Sequence, residues 1–342
     1  MQKSLLASLL LLGLTSAQID PRPIPTFTIN LDLPPRARFT EPTKHFAEGI
    51  ITVLEWYEKN LIQYLVPENL GVMLDYSFWY NHREYYLEME GIAQTVGIDT
   101  KRIVIANFAY ELVAYCTSVL AKQKDGLIMH LRLYDFLAAD ITKNITYIAD
   151  YQKGGKTVFR AVMNGGTNFF PTGMKDGAFS ITLNQRNALN HSQPEFFVNL
   201  GLISLGVKQT VIKLREALQQ CEDYTCALNL LSNDKIITGG YYILAGAKGD
   251  EAVVISRNRD GPANVTQISE EHWYVVQTND DHFAGVCRER CTAARANFEK
   301  LGRDNLSVQK AFEQILMVEP NLNAGSIYGI KMVPSSNHPS DM

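Results

Sequence analysis

No cysteine occurs in the first 115 residues of this chain, so no disulfide can tie that segment to the rest. The CxxC spacing of most zinc sites is also missing. Basic residues are scattered and form no stripe of the kind a nucleic-acid partner requires. There is no internal repeat and no low-complexity tract, and past residue 17 no apolar run is long enough to cross a bilayer. These absences leave an ordinary globular composition with aromatics enough for a substantial core.

The amino terminus supplies the first positive sign. Met1–Ala17 places one basic residue, Lys3, before an apolar run from Leu5 to Leu14 and small residues suited to cleavage before Gln18. It reads as a secretory signal peptide. Sequons at Asn144, Asn190, Asn264 and Asn305 agree with an exported, glycosylated chain. The chain carries 32 basic and 36 acidic residues with 7 histidines; losing Lys3 leaves a balance of −5, and protonating every histidine would bring it to +2. A sign reversal at lysosomal pH is therefore expected, and with it attraction to an anionic membrane surface. No cofactor is called for.

Five cysteines are present. In an oxidising compartment the close spacings favour two short-loop disulfides, Cys221–Cys226 and Cys287–Cys291, over a zinc site. The second pair is less secure, because four-residue spacing on a regular helix serves a bridge poorly. Cys116 is left over, as buried filler or as a reactive thiol.

Alternation at Phe27, Ile29 and Leu31 predicts an edge-like strand, and apolar spacing predicts helices over 45–66, 83–96 (closed by Gly97) and 100–112 (capped by Asp99 or Thr100). The character changes at Cys116. Strand-like 117–121 and 127–136 flank Lys124-Asp-Gly126, the mark of a β-hairpin. Strands are expected over 156–162, 178–183, 241–246, 252–258 and 272–278, with helices near 196–218, 288–301 and 307–316, the last capped by Ser307. This is an α+β pattern. A thiol at the head of a hairpin gains its own base if the bond before it is cut, because the freed α-amine can accept the thiol proton.

The segments Cys116-Thr-Ser-Val-Leu-Ala and His130-Leu-Arg-Leu-Tyr-Asp135 resemble the acid ceramidase and N-acylethanolamine-hydrolysing acid amidase family. Thr28–Pro35, Thr182–Arg186, Arg257–Pro262 and Trp273–His282 extend the resemblance over nearly the whole mature chain. It implies an αββα N-terminal-nucleophile sandwich with a mainly helical α subunit. It implies cleavage between Tyr115 and Cys116 into an α subunit, 18–115, and a catalytic β subunit, 116–342, that remain partners. It also implies hydrolysis of ceramide or, alternatively, of N-acylethanolamines, in a lysosomal or secreted setting, with a lipid-presenting protein as a possible helper. By the same resemblance Cys116 is the nucleophile, Arg132 orients substrate and thiol, and Asp135 holds the α-amine. Asn279 donates to the oxyanion, and Arg290 is the distal arginine after a shortened loop. The family's glycine and asparagine around the arginine are replaced by Leu131 and Leu133. That departure makes a catalytically weak lipid-binding protein a further alternative, although strand alternation would set both leucines on the face away from Arg132.

Overall fold

A computed structural model describes residues 23–62, 68–108, 114–186 and 193–335. The expected signal peptide, Asn190, the ends of two expected helices (63–66 and 109–112) and the last seven residues lie outside the described residues.

The chain opens with β1 (Thr26–Asn30), followed by α1 (Thr40–His45), α2 (Ala47–Tyr57), which continues as a wider turn to Ile62, α3 (Glu68–Asn81), α4 (Arg83–Val96) and α5 (Thr100–Asn107). The helix expected from residue 45 is interrupted at Phe46, whose φ and ψ of −106° and 14° leave the helical region. Gly97 closes α4 in the left-handed region, and the Asp99 side chain caps α5 by accepting from the Lys101 amide. Then come β2 (Ala114–Lys122), β3 (Ile128–Phe136), β4 (Thr146–Lys153), β5 (Lys156–Asn164), β6 (Thr172–Lys175) and β7 (Phe179–Gln185). The expected helix over 196–218 is two helices, α6 (Gln193–Ser204) and α7 (Thr210–Gln220), parted at Gly206 with φ +78°. α8 (Tyr224–Ser232), β8 (Gly240–Gly246), β9 (Ala252–Arg257), β10 (Pro262–Gln267), β11 (Tyr274–Gln277), α9 (Glu289–Leu301) and β12 (Ser326–Met332) follow, and the helix expected over 307–316 is one turn, Val308–Ala311, capped by Ser307 and continued as a wider turn to Leu316.

Two sheets stack. The larger runs β1-β4-β5-β6-β7-β8-β9-β10 and the smaller β11-β2-β3-β12. All neighbours are antiparallel except β1 and β4. Strand alternation sorts the side chains into layers. Ile181, Leu183, Tyr242 and Ile255 turn outward from the large sheet onto Val211, Leu214 and Leu218 of α7. Val119, Leu131, Leu133 and Val276 turn outward from the small sheet onto Ala294 and Phe298 of α9 and Ile315. Between the sheets, Leu120, Tyr241, Ile243 and Val254 fill one end. Helices thus cover both outer faces, the αββα sandwich of an N-terminal-nucleophile hydrolase. The amino-terminal helices join the same core as Cys116, Tyr134 and Phe136.

Candidate active site

The other end of the space between the sheets is polar. Cys116 is the third residue of β2, inside the strand rather than ahead of the expected 117–121, because the strand begins at Ala114 while the chain runs on unbroken from Tyr115. Register pairs Cys116 with Tyr134 and Ser118 with Arg132, so Arg132 lies diagonally across from the thiol on the same face. Its Nη2 donates to Cys116 Sγ at 2.9 Å and its Nη1 to Asn184 Oδ1 at 3.1 Å. Burial pushes the Cys116 thiol up, and the Arg132 guanidinium pulls against that shift. Leu131 and Leu133 are fully buried in the outer core on the opposite face, as alternation predicts.

Asp135 stands opposite Tyr115 on the outer face of β3. It accepts from Ser326 Oγ at 2.7 Å, Asn323 Nδ2 at 3.1 Å and Arg290 Nη1 at 3.2 Å. Burial raises its pKa to about 6 despite these donors. Arg290 also donates to Thr117 Oγ1 at 3.2 Å and to Asn279 Oδ1 at 2.9 Å. Asn279 lies two residues beyond β11, whose register with β2 ends at Gln277 and Ser118. Continued by two residues, that register faces Asn279 to Cys116, and Asn279 Oδ1 accepts from the Cys116 nitrogen at 3.0 Å. Asn279 Nδ2 donates to Gln185 O at 2.8 Å. The expected oxyanion donor therefore presents its carbonyl, not its amide, to Cys116 in the continuous chain. The Arg290 and Gln185 contacts both require that orientation.

All five expected site residues converge. Four partners were missed by the sequence reading. Asn184 accepts from Ser118 Oγ at 3.0 Å as well as from Arg132, and donates to the Gln277 and Thr278 carbonyls at 2.8 and 3.1 Å. A signal for it existed, since Ser180, Thr182 and Asn184 set polar groups at every second position of a strand buried throughout. Tyr328 of β12 stacks on Tyr134 with ring centroids 5.1 Å apart and hydrogen-bonds Thr172 at 2.8 Å. Asn323 comes from the irregular loop before β12 and Ser326 opens that strand opposite Asp135; neither carried a signal.

Beside Tyr134 and Tyr328 lies a mostly apolar cavity of about 60 Å³ that also meets Ile50, Leu54 and Tyr57 of α2 and Phe136. That is room for about two waters. His130 is buried between the hydroxyls of Ser180 and Thr182, and His282 between Gln277 and Thr266; desolvation lowers them to about 3 and about 4. Both are structural. Both disulfides form. Cys287 lies ahead of α9 rather than on it, so the Cα atoms come within 5.2 Å and the helical objection to that pair does not apply. Among the sequons, Asn144 and Asn305 are exposed and Asn264 is half-buried.

Residues 22–80 match the family model described as the beta subunit of N-acylethanolamine-hydrolyzing acid amidase. The chain is 32% identical to acid ceramidase of Homo sapiens, covering 89% of this chain and 82% of that protein. It is 31% identical to acid ceramidase of Heterocephalus glaber, covering 92% and 85%. Against the N-acylethanolamine-hydrolyzing acid amidase of Caenorhabditis elegans identity is 28%, over 90% and 88%. The solved structure of a Caenorhabditis elegans N-acylethanolamine-hydrolyzing acid amidase ortholog matches with a TM-score of 0.61 at 28% identity, covering 66% of this chain and 96% of that one.

Proposed function

The chain belongs to the acid ceramidase and N-acylethanolamine-hydrolysing acid amidase family of linear-amide hydrolases, and from that premise we propose that Cys116 is its nucleophile, that cleavage of the Tyr115–Cys116 bond arms it, and that ceramide is its substrate. The observation that carries this reading is the buried Arg132–Cys116 contact at 2.9 Å, with the Cys116 nitrogen held by Asn279 at 3.0 Å. Thiol and future amine are already positioned in the precursor.

In self-cleavage, Sγ attacks the Tyr115 carbonyl carbon, the C–N bond breaks, and the thiol proton passes to the departing nitrogen. Water then cleaves the thioester, giving a Tyr115 carboxylate and a free thiol. The new α-amine, of ordinary pKa about 7.7–8.0, sits beside Sγ and serves as its base. In the second reaction the thiolate, favoured by Arg132, attacks the substrate carbonyl; the leaving amine takes the proton, and water hydrolyses the acyl thioester. Asn279 Nδ2 supplies the oxyanion donor once it lets go of Gln185 O. The cavity beside Tyr134 is the start of the acyl site, and it must widen to admit a long chain.

Leu131 and Leu133 point away from Arg132, which favours a working enzyme over a silent lipid binder. N-acylethanolamines are the second substrate reading, favoured by the absence of cysteine before residue 116. The signal sequence and the family's acid chemistry favour a lysosomal or secreted setting.

Acid-incubated protein is run on a denaturing gel and its new terminus sequenced, then assayed on ceramide and N-acylethanolamines. Two bands, a Cys-Thr-Ser-Val terminus and turnover lost in Cys116→Ala are expected. Cleavage at this bond in Cys116→Ala, or a matured chain that turns over neither substrate class, would refute the reading.

A further inference from the structure

Glu88 of α4 and Arg215 of α7 are each fully buried and form a two-pronged ion pair, Nη1 to Oε2 at 2.6 Å and Nη2 to Oε1 at 2.7 Å. Among the ion pairs between described residues, it alone has partners on opposite sides of the Tyr115–Cys116 bond. The surroundings complete it from both sides. Asn168 Nδ2 donates to Glu88 Oε2 at 3.0 Å, and Arg215 Nη1 donates to the Asn168 carbonyl at 2.9 Å. Arg215 lies over the rings of Tyr85, before the bond, and Tyr151, after it, at 4.8 and 5.5 Å. Burial is the largest single influence and opposes the Arg215 charge, yet the Glu88 carboxylate with its hydrogen bonds and the neighbouring Tyr151 and Tyr85 together outweigh it and hold the guanidinium above its ordinary range. Arg38 adds a bond to Glu88 Oε1 at 3.0 Å and one to the Leu31 carbonyl at 3.1 Å, which links the pair to the end of β1. Close approach here needs Gly91, whose Cβ would meet the Arg36 carbonyl oxygen at 2.0 Å.

We propose that this buried pair is the lock that retains the amino-terminal fragment on the carboxy-terminal one after cleavage, the work a disulfide cannot do in a chain without cysteine before residue 116. The inference rests on the cleavage proposed above. A buried pair adds little net stability to a continuous chain, but removing one partner strands a charge in a dry site. While the chain is continuous the halves are held at high effective concentration and that penalty is tolerated; once it is cut, the penalty appears directly in the dissociation constant. β1 pairing with β4 and the apolar contacts of α2 contribute area, whereas Glu88 and Arg215 fix which surface docks and in what register.

The test is size-exclusion chromatography of acid-matured protein across a dilution series, with a gel of each fraction. Wild-type fragments are expected to co-elute. Glu88→Gln should shed its amino-terminal fragment with a dissociation constant raised about 100-fold or more. Arg215→Lys, which keeps the charge but not the fork, should fall between. Both substitutions in the uncleaved Cys116→Ala chain should elute as folded protein. Fragments that stay together in Glu88→Gln and Arg215→Lys at wild-type dilutions overturn the lock, as do wild-type fragments that part. If Glu88→Gln does not fold even uncleaved, Arg215→Lys decides. A chain that never cuts itself gives one band and refutes the cleavage reading instead; the lock is then judged the same way in a chain opened at a protease site inserted before Ala114.

Discussion

Asn184 uses both ends of its amide: Oδ1 takes bonds from Ser118 and Arg132, and Nδ2 gives bonds to the Gln277 and Thr278 carbonyls. It therefore aims the guanidinium that touches Cys116. Asn184→Ala is expected to lower kcat about 10-fold or more with little change in KM, from the loss of a charge-assisted bond of roughly 1.5–3 kcal/mol. The rate of thiol alkylation against pH should shift upward, because a loosely held Arg132 favours the thiolate less; an unmoved profile would make Asn184 merely structural. Asp135 permits a second prediction. Its folded pKa of about 6 lies above its ordinary value, so the folded state binds the proton more tightly than the unfolded state. Its contribution to stability is full below about 4 and is lost as pH rises through about 6. Denaturant titrations of uncleaved Cys116→Ala should show that decline, and adding Asp135→Asn should flatten it. Cys116, Arg132, Asp135, Asn279 and Arg290 were legible because long segments resembled a family in order. Asn323 and Ser326 were not, since their role arises only where β12 and the loop before it are brought against Asp135 by long-range strand pairing.

At the scale of elements, the hairpin of β2 and β3 was readable from Asp-Gly and alternation, and α4 from its stripe and closing glycine. Helix α3 escaped because it has no apolar stripe; it buries Leu74 and Phe78 yet leaves Tyr76, Trp79 and Tyr80 exposed. β6 is a strand through pairing rather than pattern, whereas β12 does alternate, with Tyr328, Ile330 and Met332 turned inward. Burial on the outer face of β3 alters what Leu131 and Leu133 predict. Leu131→Ala should cost about 2–5 kcal/mol in thermal or denaturant unfolding while leaving substrate preference unchanged, since the cavity created opens toward α9 and away from Arg132. A change in preference without a loss of stability would contradict that placement. The Cys287–Cys291 bridge holds the start of α9, where Arg290 reaches Asp135 and Asn279. Replacing both cysteines by alanine should cost about 2 kcal/mol for so short a loop and slow self-cleavage, scored as the half-time for the second band to form; an unchanged half-time would separate the bridge from the site.

For the whole molecule, the expected charge reversal needs correction. His82, His130 and His282 are desolvated and lowered to about 4, 3 and 4, so they stay neutral at mildly acid pH. Even if every other histidine carried a proton, a mature chain with 31 basic and 36 acidic residues would reach only −1, or 0 with Asp135 neutral below its pKa of about 6. Attraction to anionic vesicles should therefore begin only where carboxylates besides Asp135 also protonate, below about pH 5. Imidazole NMR should show these three rings unmoved between pH 7 and 5, whereas binding to anionic vesicles at pH 6 would contradict the corrected balance. The sequence by itself determined the α+β class, the hairpin that bears the thiol and the cysteine pairing, because local periodicity, turn chemistry and spacing are written along the chain; the residues that share the site were legible in it only through the family resemblance. Only the tertiary structure decided which amide atom of Asn279 meets Cys116, that Asn184 holds Arg132, that burial lowers His82, His130 and His282, and that Glu88 finds Arg215 at a separation of 127 residues. Each of those depends on desolvation or on contact between distant elements, and neither is a property of any stretch of sequence read alone.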